Sequence, residues 1–193
     1  MLNFVDFSWC TLYNWYMEIR KVVFGVAICL VSCGAAQAPN KNLIQTAKHL
    51  QHKHFKKIKN KNKLVIIDYS LPVFKKRLWV INPKTNKILF HSRVGHAGWS
   101  GIVYATDFSN VPGSNKSSIG SFITLSTHHG KFGYSLNVKG LDRGINNNAY
   151  RRRIIFHKMN NKPWSLGCFT IPQKEAKNLI NMIKGGVFVY VSY

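Results

Sequence analysis

Acidic residues are scarce in this chain: six Asp and Glu stand against 28 Lys and Arg, for a formal charge of +22. A protein so short of carboxylates is drawn to polyanions such as nucleic acid, anionic lipid or acidic wall polymers, and charge alone does not choose among them. Cysteine is also rare, with four in 193 residues. Cys10, Cys29 and Cys33 fall in the first 38 residues, so the rest of the chain keeps Cys168 alone. One thiol excludes an intramolecular disulfide framework. Long apolar runs are missing as well: Val22 to Val31 has ten residues, where a membrane-spanning helix needs about 20. No internal repeat is found. The histidines His49, His52 and His54 have no Cys or carboxylate at useful spacing, so no metal site is expected. A hydrophobic fraction of 46% argues against general disorder.

What is present at the N-terminus points to export. Arg20-Lys21 precede the apolar run, and Ser32-Cys33-Gly34-Ala35-Ala36-Gln37-Ala38 follow it, which is the plan of a secretory signal peptide ending in Ala-x-Ala. Leu30-Val31-Ser32-Cys33 also resembles the bacterial lipobox, in which Cys33 would be lipidated and anchor the protein. Met17 makes a more natural signal start than Met1, so residues 1–16 are expected to carry no function. The expected organisation is a dispensable extension plus signal peptide over 1–38, a basic linker or surface helix over 39–63, and a catalytic domain over 64–193. Removing the leader takes two basic and two acidic residues and leaves the charge unchanged. The expected location is the periplasm or cell envelope, with anionic envelope polymers as partners. Export and the lack of a recognised binding motif exclude nucleic acid. A monomer is expected.

From Leu64 the pattern becomes short and β-like. Strands are predicted at Leu64–Tyr69, Arg77–Ile81, Lys87–Val94, Ser121–Leu125, Ser135–Val138, Arg153–His157 and Val187–Ser192. Asn82-Pro83-Lys84-Thr85-Asn86 is a turn by composition. One helix is predicted over Gln173–Lys184, with Ala176, Leu179, Ile180 and Ile183 on one face and Gly185-Gly186 stopping it. These elements imply a mainly β domain of α+β type, a sandwich or half-barrel with one C-terminal helix. The polar stretch between Gly98 and Gly120 exceeds the roughly 12–15 residues of an ordinary loop, and its Tyr104 and Phe108 mark it as an ordered, functional one.

The chemistry concentrates near the C-terminus, where Ile154-Ile155-Phe156-His157 is followed eleven residues later by Cys168 at the end of Trp164-Ser165-Leu166-Gly167-Cys168. A free thiol is only slightly ionised at neutral pH, and an adjacent imidazole remedies this by accepting its proton. Gly167 lets an acyl carbonyl approach, and backbone N–H groups beside Cys168 suit an oxyanion hole. Arg151, Arg152 and Arg153 are suited to a substrate carboxylate, and strand alternation would point two of the three into one cleft. The residues alone leave open a buried structural Cys and a satisfied core His.

From about Leu78 to Tyr193 the chain resembles the murein L,D-transpeptidase catalytic domain (YkuD-like) family. The carrying segments are Ala105 to Ser114, Ser117-Ser118-Ile119-Gly120, His129-Gly130-Lys131, Gly140-Leu141, Gly144-Ile145-Asn146, Asn148-Ala149-Tyr150, the strand into His157, and Trp164 to Cys168. The resemblance implies an L,D-transpeptidase-like fold with Cys168 as acyl nucleophile and His157 as general base, and with Ser165 and Gly167 shaping the nucleophile loop. Arg151, Arg153, Tyr104, Asn148 and Tyr150 are the candidate substrate-binding residues. It further implies peptidoglycan stem peptides as substrate, release of D-Ala, transfer of the acyl group to an amine (a 3→3 cross-link) or to water, no metal or organic cofactor, and acylation of Cys168 by carbapenems. A catalytically weak or inactive cationic wall-binding protein is the alternative. The chain departs from the family pattern at Lys158, where Gly usually follows the catalytic His, at Leu166, where the wider family has His, and at Phe169-Thr170.

Overall fold

The structure, a computed structural model, describes residues 37–193. The expected signal peptide, Met17 start and Cys33 anchor lie outside the described residues. In chain order a helix at Lys41–Lys53 (α1) precedes strands at Asn60–Asp68 (β1), Lys76–Ile81 (β2), Ile88–Arg93 (β3) and His96–Ala97 (β4). Strands Gly120–Gly130 (β5), Gly133–Gly140 (β6), Ile155–Lys158 (β7), Trp164–Ser165 (β8) and Phe169–Ile171 (β9) follow, then a helix at Gln173–Ile183 (α2) and a last strand at Val187–Ser192 (β10). Eight strands make one mixed sheet in the order β3-β2-β1-β10-β5-β6-β7-β9, and β4 pairs with β8 separately.

The apolar strands explain why the sheet is covered twice. Along β10, Val187, Val189 and Val191 join one buried cluster while Phe188 joins another, and β1 splits the same way, Val65 and Ile67 against Leu64 and Ile66. Successive strand residues point to opposite faces, so a continuous run such as Leu64-Val65-Ile66-Ile67 needs cover on both sides. Helix α2 covers the first face with Ala176, Leu179, Ile180 and Ile183, each large aliphatic side chain contributing about 1.5–3 kcal/mol on burial. Helix α1 covers the second with Ala47, and Leu43, Ile44 and Leu50 pack around it.

The segment expected as a basic linker or surface helix is therefore a helix packed on the sheet, its lysines facing water. Asn40 caps α1 by accepting from the Asn42 N–H at 2.9 Å, and Gln51 donates to the Lys63 carbonyl at 3.1 Å. The surface-helix alternative therefore holds for residues 41–53, where just a narrow stripe is apolar. Gly186, at φ +90°, ends the link from α2, where a Cβ would sit 2.7 Å from Lys59 Cβ. The short sheet β4–β8 was not foreseen, since two-residue strands have no periodicity to read. Strand β7 begins at Ile155 and not at Arg153, because Arg153 occupies the left-handed region at φ +56° within a turn.

Candidate active site

Strands β7 and β9 run parallel with Phe156 opposite Phe169 and His157 opposite Thr170. Cys168 immediately precedes β9, so the register that sets Thr170 beside His157 brings the thiol to the start of the strand next to the one that carries His157. The two phenylalanines lock this register from behind, stacked with ring centroids 4.6 Å apart in the main core.

His157 is buried, and its Nδ1 lies 2.7 Å from the carbonyl of Lys158. A carbonyl only accepts, so Nδ1 carries the proton and the Nε2 lone pair is left free. Phe132 stacks on the ring at 4.3 Å. Burial pushes the His157 pKa below its usual value despite the Lys158 carbonyl, which raises it. The backbone thus supplies the orientation that Leu166 cannot.

Cys168 Sγ donates to the Arg153 carbonyl at 3.6 Å. Burial pushes its pKa up, and two effects oppose that: the backbone N–H of Ile155 bonding to sulfur and the positive charge of Arg152. Burial thus favours the uncharged form of both groups.

The loop before the thiol is held by its own side chains. Ser165 Oγ donates to the Cys168 carbonyl at 2.7 Å and accepts the Gly167 N–H at 3.1 Å. Gly167 has φ +127°, and a Cβ there would meet Ile154 Cδ1 at 2.6 Å, so both conformation and space require glycine.

The arginine that points inward is Arg152. Its Nη1 donates to the Ser109 carbonyl and, at 2.6 Å, to Ser118 Oγ; its Nη2 donates to the Lys116 carbonyl at 2.6 Å and to Ser114 Oγ at 3.2 Å. It thereby fastens the long 98–120 loop beside the thiol. Arg151 and Arg153, the candidates chosen from sequence, have exposed side chains, and Arg153 reaches the thiol through its carbonyl. The alternation argument misplaced the three because residues 151–153 form a turn, where a two-residue period does not hold.

Asn148 takes a latching position: its Nδ2 donates to the Asn110 carbonyl at 3.1 Å, and its own N–H reaches Asn110 Oδ1 at 3.0 Å. Tyr104 is half exposed on a cleft of about 350 Å³ with Tyr69, Ser70 and Tyr193. Tyr150 is exposed. Behind the site Tyr69, Arg77 and His96 form a buried polar group that sequence reading missed. Arg77 lies over the Tyr69 ring at 4.7 Å and donates to His96 Nδ1 at 2.7 Å. Only the full burial of Arg77 in a β-strand marks it, and that is invisible in sequence. Among the described residues no three His, Cys, Asp or Glu side chains come together.

The L,D-transpeptidase catalytic domain family matches residues 35–192. Similar solved structures include a variant of the helical cell shape determining protein Pgp2 from Campylobacter jejuni, at 10% identity and a TM-score of 0.51, covering 80% of this chain and 56% of that one. An L,D-transpeptidase from Stackebrandtia nassauensis matches at 17% identity and a TM-score of 0.45, covering 85% and 87%. One from Enterococcus faecium matches at 12% and 0.44, covering 67% and 49%. The chain spans about half the length of the first structures it matches. No curated protein matches it. The match over most of the chain places this protein in the L,D-transpeptidase catalytic domain family.

Proposed function

We propose that the protein is an exported peptidoglycan L,D-transpeptidase using Cys168 as nucleophile and His157 as general base. The observation that supports this reading is the parallel pairing of β7 with β9, which sets the segment ending in Cys168 beside the strand of His157, with the imidazole held as the Nδ1–H tautomer. As Cys168 Sγ attacks the carbonyl joining the third stem residue to the terminal D-Ala, its proton passes to His157 Nε2. The tetrahedral intermediate collapses by breaking the C–N bond, and the imidazolium returns the proton to the departing D-Ala amine. The thioester is then attacked by an amine of a neighbouring stem, giving a 3→3 cross-link, or by water, giving hydrolysis. His157 takes the proton of the incoming amine or water, and the sulfur leaves.

Other residues take supporting roles in this scheme. Ser165 and Gly167 fix the loop so that sulfur meets the carbonyl in line. Arg152 favours developing thiolate character, and exposed Arg151 is available for a stem carboxylate. The first 38 residues carry the protein to the periplasm or envelope, with Cys33 as a lipid anchor, and the lysine-rich surface holds it near anionic wall polymers.

The test uses D-Ala release from a stem tetrapeptide and intact mass after exposure to a carbapenem. Wild type is expected to release D-Ala and to gain one drug mass. Cys168→Ala does neither, and His157→Ala acylates about 10²–10⁴-fold more slowly. An adduct that survives in Cys168→Ala would overturn the nucleophile. Wild type that neither reacts nor releases D-Ala would favour the cationic wall-binding alternative.

A further inference from the structure

Beside the nucleophile loop lies a ledge of large apolar side chains that the chemistry above does not use. Trp99, Ile102 and Leu166 are each about two-thirds exposed, at 70%, 68% and 67%, and Val103 and Trp164 are partly exposed. They are contiguous. The Trp164 indole N–H donates to the Ile102 carbonyl at 2.9 Å, and Gly98 lies against Trp164, where a Cβ would come 3.6 Å from its Cβ. The β4–β8 pairing of His96 with Trp164 and Ala97 with Ser165 ties the two segments together. With its N–H committed, Trp164 offers a ligand only its ring face. Exposed apolar surface of this kind on a folded domain marks a binding site.

The charge pattern says what kind of ligand fits. In a chain with 28 Lys and Arg, residues 94–105 and 163–170 contain no Lys, Arg, Asp or Glu. His96, the one titratable imidazole among them, is held neutral by burial. Exposed Arg93 and Lys162 flank these segments, but the ledge itself offers its ligand no charged side chain. It suits a neutral ligand with flat C–H faces and a hydroxyl edge, which describes a sugar ring.

We propose that this ledge binds the glycan strand of the substrate, with Trp99 and Trp164 as stacking platforms for its sugar rings; this rests on the peptidoglycan reading above. Reach supports the placement. The reacting carbonyl is three residues from the sugar, roughly 10 Å or more of extended peptide, and Trp164 is followed directly by Ser165, whose Oγ donates to the Cys168 carbonyl at 2.7 Å. A stem held at the thiol can then extend its sugar toward the ledge. The glycan end is then bound apart from the reacting carbonyl, which lowers KM without altering kcat.

D-Ala release from a disaccharide-tetrapeptide and from the free tetrapeptide separates these contributions. Trp99→Ala, at an exposed position, is expected to raise KM for the disaccharide-tetrapeptide about ten-fold, the loss of roughly 1.4 kcal/mol, with kcat and free-tetrapeptide kinetics unchanged. Trp99→Phe retains most of the affinity. An equal effect on both substrates, or none on either, would overturn the proposal. Fluorescence titration with an N-acetylglucosamine tetramer reads the platform without catalysis: wild type saturates and Trp99→Ala does not. A titration that Trp99→Ala leaves unchanged, or a variant that loses only its binding to anionic phospholipid vesicles, also overturns it. If wild type releases D-Ala from neither substrate, the enzymatic reading fails and the titration alone decides for or against the ledge.

Discussion

Among the described residues two guanidinium groups point inward, and neither pairs with a carboxylate there. Arg77 is fully buried and donates to the Val94 carbonyl at 3.0 Å, the Leu71 carbonyl at 2.7 Å and His96 Nδ1 at 2.7 Å. Arg152 reaches two carbonyls and two serine hydroxyls of the 98–120 loop. Both act as pins, gathering acceptors from segments distant in sequence. With six acidic residues in the chain, carbonyl and hydroxyl dipoles do what carboxylates do elsewhere. The difference lies in what the charge faces. That of Arg77 is enclosed in the core, and burial brings its pKa down to about 10 against the opposing influence of Tyr69 and Asp68. That of Arg152 faces the Cys168 thiol and favours its ionised form. One pin therefore serves stability and the other reactivity, and substitutions can separate them.

The largest effect is expected at Arg77. Arg77→Met strands the two carbonyls and His96 Nδ1, each costing about 1–3 kcal/mol when left unpaired, and relief from burying a cation offsets part of this. The net loss is about 4 kcal/mol, or a fall of about 10 °C in Tm for a domain of this size, read by calorimetry. A change of under about 2 °C would show that Arg77 is not a structural pin.

The next effect is on acid stability. Burial first, with the Arg77 charge adding to it and the Gly101 carbonyl opposing, takes the His96 pKa from 6.5 to about 4. The folded state then binds fewer protons than the unfolded one. The contribution is fully present above pH 6.5 and is lost as pH falls toward 4. Urea unfolding at pH 7 and pH 4.5 should differ by about 2.5 kcal/mol from this group alone. His54, His91 and His157, also shifted down chiefly by burial, add to it in the same direction. A flat profile over that interval would mean that His96 is accessible to protons in the folded protein.

How far the sequence could be read follows the same division between pattern and enclosure. Strands β1, β2 and β10 and helix α2 were legible because apolar period and turn residues declare them locally. His157 and Cys168 stood out as candidates, since a lone thiol and a histidine at the end of an apolar run are rare residues in telling places. Arg152 was not separated from its neighbours, because its role depends on a turn whose φ of +56° at Arg153 has no glycine to announce it. Arg77 reads as an exposed strand cation until the fold encloses it. Helix α1 reads as a solvated basic segment because its buried contribution is essentially Ala47 with a fringe of larger residues.

The smallest effect is the most specific to the comparison. In Arg152→Met the cation near Cys168 is gone, so burial acts on the thiol with less opposition and its pKa rises further. Each unit of that rise lowers the thiolate fraction ten-fold at a fixed pH below the pKa, equivalent to about 1.4 kcal/mol. Alkylation of Cys168 by iodoacetamide at pH 8 is therefore expected to slow, with the pH–rate curve displaced to the alkaline side. Arg152→Lys, which keeps the charge but not the forked donors, should recover much of the curve's position while the 98–120 loop stays loosened. A loss of loop order alone would change the rate by altering access and leave the position of the curve in place. Arg77→Met, assayed well below its lowered Tm, should keep the wild-type curve. If it shifts the thiol as much as Arg152→Met does, the two pins are one electrostatic network and the division between them fails.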